Sequence, residues 1–269
     1  MRSLTTALFL ITILAACSRT EVNHSEITSK GADTAGEDIS SKSRGREDTL
    51  GNQAEWLSLP GALIFDPAVR IQHANSWDKR VMELPQQEQA ILRSIDARYY
   101  GANKFTTAAE QRELANQGFP MPEEWLAASR LADEELEQMA NAGNIKARMF
   151  YSDRLGSRLM EMQAANIASA PSEESQRQLA QLTAKALVSG AQLMRTSNSP
   201  FTAYVYGRSL SGASKGVQPE AMAGAFFAAR DRGDIRATRL MASFERENPQ
   251  MNSQTIMAAY SAMSTLSAK

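Results

Sequence analysis

Few side chains in this sequence have the types and the spacing that catalysis or metal binding requires. The 269 residues include two histidines, His24 and His73, and one cysteine, Cys17. A protein metal site needs several converging ligands, and none of these three side chains belongs to such a cluster. A lone histidine is more often a surface or structural residue than a base or a ligand. We therefore expect no metal ion and no cofactor.

One serine has some features of a catalytic nucleophile. The run Gly-Arg-Ser-Leu-Ser that contains Ser209 is close to the Gly-x-Ser-x-Gly turn, but Ser211 replaces the final glycine. No strand signal precedes it, and the folded part offers no second histidine to complete a catalytic triad. Residues 207–212 also have the spacing of a phosphate-binding loop, yet Ala213 stands where that loop needs lysine. We interpret Ser209 as an ordinary helix-end serine.

One glutamate could act as a general acid and base. Glu174-Ser175 resembles the Glu-Ser dipeptide of lytic transglycosylases, which are helical enzymes of the bacterial cell wall. The downstream Gly-Leu-Met-Gln block of that family is missing. Glu174 also lies just after Ser172, at a helix start where the helix dipole favours a carboxylate. We expect no enzymatic activity, and a cell-wall-active enzyme is the least favoured of the functions considered.

The amino terminus has the pattern of a secretory signal. A short basic start precedes an apolar run over residues 4–14, which is too short to span a membrane. Leu14-Ala15-Ala16-Cys17 resembles the lipobox of bacterial lipoproteins, which implies cleavage between Ala16 and Cys17 and acylation of Cys17. By the sorting rule of that family, Ser18 rather than aspartate after the cysteine implies the outer membrane. The alternative is an ordinary signal peptide with an accidental cysteine.

The resemblance implies a signal peptide, residues 1–16, and a mature protein held at the periplasmic face of the outer membrane through its lipid. Residues 17–53 are rich in Ser, Thr, Gly and charged side chains. Such a segment buries too little apolar surface to offset its ordering entropy, so we expect a flexible linker. A flexible chain of this length spans roughly 30–36 Å.

Two further segments complete the expected domain organisation. Residues 54–84 combine apolar side chains with Pro60, Gly61 and Pro67, which predicts an irregular cap packed on the first helices. Residues 85–269 have almost no strand signals and form the expected helical domain. This length is enough for a substantial core.

Helix start signals recur along this domain. Pro85 and Pro219 lie where prolines of a first helical turn belong. Asp133 and Ser172 each stand where an N-cap residue is expected, and Asn252 or Ser253 begins the last helix. The sequence therefore predicts an all-α fold.

Two short segments of the helical domain resemble each other. Each has a glycine that ends one helix, an Asn or Asp that caps the next, and an alanine that leaves room for close packing. The corresponding residues are Gly143, Asn144 and Ala147 in the first segment, and Gly233, Asp234 and Ala237 in the second. Both segments predict tight helical hairpins. A degenerate third turn is expected at residues 198–203, where Pro200 starts the second helix.

These turns resemble those of the Sel-one-like repeat family, relatives of tetratricopeptide repeats. Ala203 and Ala237 lie 34 positions apart, a length typical of such helical repeats. The departures are uneven spacing and a middle turn that lacks glycine. The resemblance covers about residues 133–248, and it implies a short α-solenoid of helical hairpins that binds other proteins.

Arginine and tyrosine side chains accompany the two hairpins. Both residue types are enriched in the energetically important centres of protein interfaces. The candidate binding residues are Arg148, Tyr151, Arg154, Tyr204, Tyr206, Arg236 and Arg239. The alternative is a solvated charged face with the tyrosines in the core.

These patterns favour a membrane-anchored scaffold that binds a protein or peptide. The alternative is an immunity-type lipoprotein that inhibits a secreted toxic effector. The 29 basic and 30 acidic side chains give a formal net charge of −1, which offers no electrostatic footprint for nucleic acid. The lipid on Cys17 is therefore the expected contact with the membrane.

Overall fold

The computed structural model describes residues 76–168, 171–214 and 218–266. Within these ranges the chain forms 11 helices and no strand, so the all-α prediction is confirmed for the described residues. The first five helices are α1 (Trp77–Met82), α2 (Gln86–Arg98), α3 (Ala108–Asn116), α4 (Pro122–Ser129) and α5 (Asp133–Asn141). The remaining six are α6 (Ile145–Ala168), α7 (Glu173–Thr196), α8 (Phe201–Ala213), α9 (Pro219–Asp231), α10 (Ala237–Glu247) and α11 (Ser253–Ser264).

Four of the five predicted helix starts are confirmed, with capping contacts that explain two of them. The Ser172 hydroxyl accepts a hydrogen bond from the backbone N–H of Ser175 at 3.1 Å. The Asn252 side chain accepts two such bonds at the start of α11. Helix α9 begins at Pro219, and α2 begins directly after Pro85, which is the N-cap residue rather than part of the first turn.

The fifth start signal was assigned to the wrong residue. The N-cap of α5 is Ala132, and Asp133 is already helical. The carboxylate of Glu135 accepts a hydrogen bond from the backbone N–H of Ala132 at 2.6 Å. Glu135 therefore supplies the acceptor for the backbone N–H of the N-cap residue. Asp133 is free to bind other helices, because the cap does not need its carboxylate.

Part of the expected irregular cap is helical. Helix α1 lies inside residues 54–84, and the Ser76 hydroxyl caps it by accepting a bond from the N–H of Lys79 at 3.3 Å. Trp77 and Val81 are one helical turn apart and are both buried. Ala16, Cys17, the linker and residues 54–75 of the predicted cap lie outside the described residues.

Helices α5 to α11 form an array: from α5 to α10 each helix packs against the next one in the chain, and α11 packs against α9. Short connections join α5 to α6, α7 to α8 and α9 to α10, and each pair packs together. The Ser152 and Ser189 hydroxyls meet at 2.7 Å between α6 and α7. The rings of Tyr204 and Phe226 lie 5.4 Å apart between α8 and α9.

Two pairs of alternate helices within this array also touch. A Cβ atom on Gly156 of α6 would lie 3.6 Å from the Ser209 hydroxyl of α8. A Cβ atom on Gly224 of α9 would lie only 2.8 Å from the backbone nitrogen of Tyr260 in α11. That distance is shorter than real Cβ contacts, so only glycine allows α9 and α11 to approach this closely.

The segment before the array packs onto α6, α8 and α10. The ring of Tyr99 lies 4.9 Å from that of Phe201, and the rings of Trp125 and Phe150 are also 4.9 Å apart. Tyr99, Phe201, Trp125 and Phe150 are all buried. Aromatic contacts therefore join the helices before residue 133 and the helices after it in a continuous core.

Candidate protein-binding surface

The two predicted turns have the same backbone hydrogen bonds. Gly143 and Gly233 have φ angles of 96° and 101°, in the left-handed region that favours glycine. At the first turn the N–H of Gly143 bonds to Ala140 and that of Asn144 to Met139. At the second turn Gly233 and Asp234 make the corresponding bonds to Arg230 and Ala229. These are Schellman turns, and the predicted role of both glycines is confirmed.

The residues after the two glycines differ in what their side chains bind. Asn144 caps α6 as predicted, because its side chain accepts a bond from the N–H of Ala147 at 2.9 Å. Asp234 instead accepts from the N–H of Arg236 at 3.0 Å, and α10 begins one residue later. Ala147 and Ala237 are fully buried, as close helix packing requires.

At the middle turn, which lacks glycine, an arginine side chain satisfies the end of the helix. The guanidinium of Arg232 donates to the carbonyls of Met194 at 2.9 Å and Ser197 at 2.8 Å, at the end of α7. It also donates to the Thr202 hydroxyl at 2.7 Å. The last carbonyls of a helix have no partner within the helix, so this side chain replaces the Schellman bonds.

The three tyrosines predicted to bind a partner are in the core. Tyr204 is fully buried, and Tyr206 and Tyr151 are 2% and 5% exposed. The Tyr204 hydroxyl donates to Asp234 at 2.9 Å, and burial raises the pKa of this tyrosine well above its usual value. The binding prediction is wrong for these residues, because contacts with neighbouring helices surround them.

Two of the predicted arginines stabilise contacts between helices. The Arg148 guanidinium donates to the Ala140 carbonyl in α5 and to the Gln192 side chain in α7. Arg154 donates to Asp133 at 2.8 Å and to the Ala128 carbonyl at 2.6 Å. Their hydrogen-bonding groups are directed at this protein, so the interpretation as partner contacts is wrong for these groups.

The other two predicted arginines have opposite environments. Arg236 is 8% exposed and donates to the Ala102 carbonyl at 2.9 Å and the Lys104 carbonyl at 2.6 Å. Its charge is paired with Asp234, at 3.0 Å. Arg236 is therefore a buried structural residue, which corrects its prediction as a binding residue. Arg239 is exposed, as a binding residue would be.

A partly exposed cluster of the interface-forming residue types lies on α9 and α11. We call Phe227, Arg230, Asp231 and Tyr260 the α9–α11 patch. The Arg230 guanidinium lies 5.4 Å from the centre of the Phe227 ring and 3.0 Å from the Asp231 carboxylate. The rings of Phe227 and Tyr260 are 6.1 Å apart. Stacking and pairing thus hold the four side chains together at the surface.

Hydrogen bonding fixes the charge state of the α9–α11 patch. The Tyr260 hydroxyl donates to Asp231 at 2.5 Å. This bond lowers the pKa of Asp231 and raises the pKa of Tyr260. At neutral pH the aspartate is therefore ionised and the tyrosine is protonated. With Arg230 included, the patch has one positive and one negative charge and no net charge.

Two further apolar side chains are exposed, one on α11 and one in the turn after α9. Met257 is 53% exposed and precedes Tyr260 by three residues on α11, so the two share a helix face. Ile235 is 87% exposed in the turn after α9. Apolar side chains in water with Arg and Tyr beside them are typical of an interface. The sequence analysis did not select Phe227 and Tyr260. Their residue type was a usable signal, because aromatic side chains are enriched at protein interfaces together with arginine.

The residues considered for catalysis occupy unremarkable positions. Ser209 is fully buried, and its hydroxyl donates to the Val205 carbonyl at 3.4 Å. Glu174 is exposed in the first turn of α7 and lies 3.4 Å from Arg177. Over the described ranges, no group of three or more His, Cys, Asp or Glu side chains is placed to hold a metal ion.

In the described part, none of the helices is both long and apolar enough to cross a membrane. No protein-family model, curated protein or solved structure matches this chain.

Proposed function

We propose that this protein is a lipid-anchored scaffold of the bacterial cell envelope that binds another protein through the α9–α11 patch. The observation that carries the proposal is the pair of hairpins closed by the same Schellman turn, at Gly143 and at Gly233. Equivalent hairpins that pack on one another are the building units of helical-repeat scaffolds. The Sel-one-like resemblance supports the same assignment.

The contacts between alternate helices also support a repeat arrangement. In an array of hairpins, each unit buries its apolar face only by packing on its neighbours. Here α6 contacts α8, and α9 contacts α11, in addition to their partners within each hairpin. The close approaches at Gly156 and Gly224 lie in these contacts. The repeats are irregular in length, since α6 and α7 each have 24 residues.

The location of the binding surface follows from what the chain already covers. Tyr99 and Trp125 pack against α8 and α6, and Arg98 forms an ion pair with Asp153 of α6 at 2.9 Å. The chain therefore occupies this face of the array with its own amino-terminal helices. The α9–α11 patch is outside these contacts and has the aromatic and arginine side chains that dominate interface energies.

A photo-reactive amino acid placed at Met257 is expected to cross-link the lipidated protein to a discrete partner in living cells. The matched control is the same substitution at Val188, which is 46% exposed on α7. Adding Arg230→Ala should remove the Met257 adduct, because the arginine is part of the proposed contact. The measurement is the mobility of adducts on denaturing gels, followed by mass spectrometry of the bound protein.

The outcomes of this experiment separate the candidate functions. Equal adducts from Met257 and Val188, or an adduct insensitive to Arg230→Ala, would reject the α9–α11 patch. If the captured partner is a toxic effector that this protein inhibits, the immunity function replaces the scaffold. Activity of the purified protein on peptidoglycan that Glu174→Gln abolishes would replace both binding functions by a cell-wall enzyme.

Cys17→Ala is expected to release the protein from the membrane fraction. The proposed acyl group attaches to this thiol, and the variant lacks the atom that accepts it. Membrane fractionation and metabolic labelling with a fatty acid measure the effect, with Ser18→Ala as the control that should remain labelled. Unchanged labelling of Cys17→Ala would show that the signal is not that of a lipoprotein.

A further inference from the structure

Two arginines from different helices converge on one hydroxyl group. Arg98 is the last residue of α2, and its Nη1 atom donates to the Ser157 Oγ atom at 2.8 Å. Arg208 of α8 donates from Nη2 to the same oxygen at 3.4 Å. Ser157 belongs to α6, so three separate helices form the cluster. All three side chains are half-buried, which leaves part of the cluster open to solvent.

Both oxygens of the neighbouring Asp153 carboxylate already accept hydrogen bonds. Asp153 accepts from Arg98 at 2.9 Å through one oxygen and from the Tyr99 hydroxyl at 2.7 Å through the other. Among the described residues, Arg208 forms no ion pair, and its one hydrogen bond is the long contact with Ser157. Asp153 therefore pairs with Arg98, and Arg208 has no ion-pair partner among the described residues.

The surroundings of the two guanidinium groups are poor in acceptors. The Nε atoms of Arg98 and Arg208 are buried and meet no hydrogen-bond acceptor among the described residues. Two like charges near one hydroxyl repel each other more strongly in a partly buried site than in water. An anion between them would relieve that repulsion. Guanidinium groups also present paired N–H donors that match the oxygens of carboxylate and phosphate.

Tyr100 is two residues after Arg98, is within electrostatic range of Arg208, and has a constrained backbone. Its φ angle of 51° is the one positive φ of a non-glycine residue in the described ranges. Its ring is 40% exposed and packs edge-on against Phe244 at 4.6 Å. Burial raises the pKa of Tyr100, the charge of Arg208 opposes this rise, and Glu247 adds to it. The hydroxyl therefore stays protonated at neutral pH and can donate a hydrogen bond.

We propose that Arg98, Arg208 and Ser157 form a binding site for an anionic group, either a carboxylate or a phosphate, with Tyr100 close by. The site is independent of the α9–α11 patch, so it stands whether or not the proposed scaffold function is correct. Arg208 supplies the free charge, Arg98 is held in place by Asp153, and Ser157 sets the distance between the two guanidinium groups.

The test is the binding of inorganic phosphate and of acetate to the full chain at constant ionic strength, measured by thermal unfolding and calorimetry. We expect a saturable rise in the Tm with at least one of the two anions, and the anion that acts identifies the ligand class. Arg208→Gln should weaken that anion's binding about tenfold or more, since it removes a charge-assisted hydrogen bond. Arg195→Gln, an exposed change on α7, is the control and should bind as the unmodified chain does.

Two further readouts exclude a purely structural role for Arg208. Without added anion, Arg208→Gln should have a Tm equal to or above that of the unmodified chain, because it removes one of two neighbouring like charges. Arg208→Lys should retain weaker binding. The proposal is overturned if neither anion gives a saturable rise, if Arg208→Gln binds as tightly as the control, or if Arg208→Gln lowers the Tm in the absence of anion.

Discussion

Arg236→Ala is expected to lower the free energy of unfolding by about 3–5 kcal/mol, because it leaves a buried charge without its partner. Asp234 is 1% exposed, and its remaining side-chain partner would be the Tyr204 hydroxyl. The substitution also frees the carbonyls of Ala102 and Lys104, which Arg236 now satisfies. Urea unfolding followed by circular dichroism measures the change.

The neighbouring arginine is the matched control for this prediction. Arg239→Ala removes an exposed guanidinium from the first turn of α10, three residues after Arg236, and should change the stability by less than about 0.5 kcal/mol. Adding Asp234→Asn to Arg236→Ala should recover part of the loss, because the unpaired charge is gone. Similar stabilities of Arg236→Ala and Arg239→Ala would mean that Arg236 is a surface residue after all.

Phe201→Ala should lower the free energy of unfolding by about 3–5 kcal/mol, the usual cost of truncating a large buried aromatic side chain. Phe201 is fully buried, and its ring lies 4.9 Å from Tyr99, 5.3 Å from Phe119 and 6.0 Å from Trp125. The variant would leave a cavity where the amino-terminal helices meet α8. Thermal and urea unfolding measure the loss.

A half-exposed aromatic residue provides the comparison for Phe201. Phe227→Ala removes a ring of the same size from α9, where part of it already contacts solvent. Its effect on stability should be much smaller, since less apolar surface leaves the core. If Phe227→Ala is as destabilising as Phe201→Ala, the α9–α11 patch belongs to the core and does not form a free surface.

The local parts of this fold could be predicted from sequence. Ser172 and Asn252 predict the starts of the helices that follow them, because an N-cap depends only on a few neighbouring residues. Gly143 and Gly233 predict the turns that contain them, because a backbone position with positive φ favours glycine. Such signals need no knowledge of distant segments.

The environment of the arginines and tyrosines could not be predicted in the same way. Helix α8 is buried on nearly all sides because α6, α7 and α9 all pack against it. Tyr204 and Tyr206 are therefore both in the core, although they do not share a helix face. Arg236 binds carbonyls more than 130 positions earlier in the chain, a contact with no local sequence signal.

The Arg232 guanidinium satisfies carbonyl groups at the end of α7. The stability of the pair α7–α8 therefore depends on the pair α9–α10. The carbonyls of Met194 and Ser197 receive these donors only after the turn following α9 has formed. The helical pair α7–α8 is therefore incomplete without the pair α9–α10, in contrast to arrays whose units can form one at a time. We therefore expect α7, α8, α9 and α10 to unfold together in one cooperative transition. An intermediate in which only the pair α9–α10 has unfolded should not accumulate.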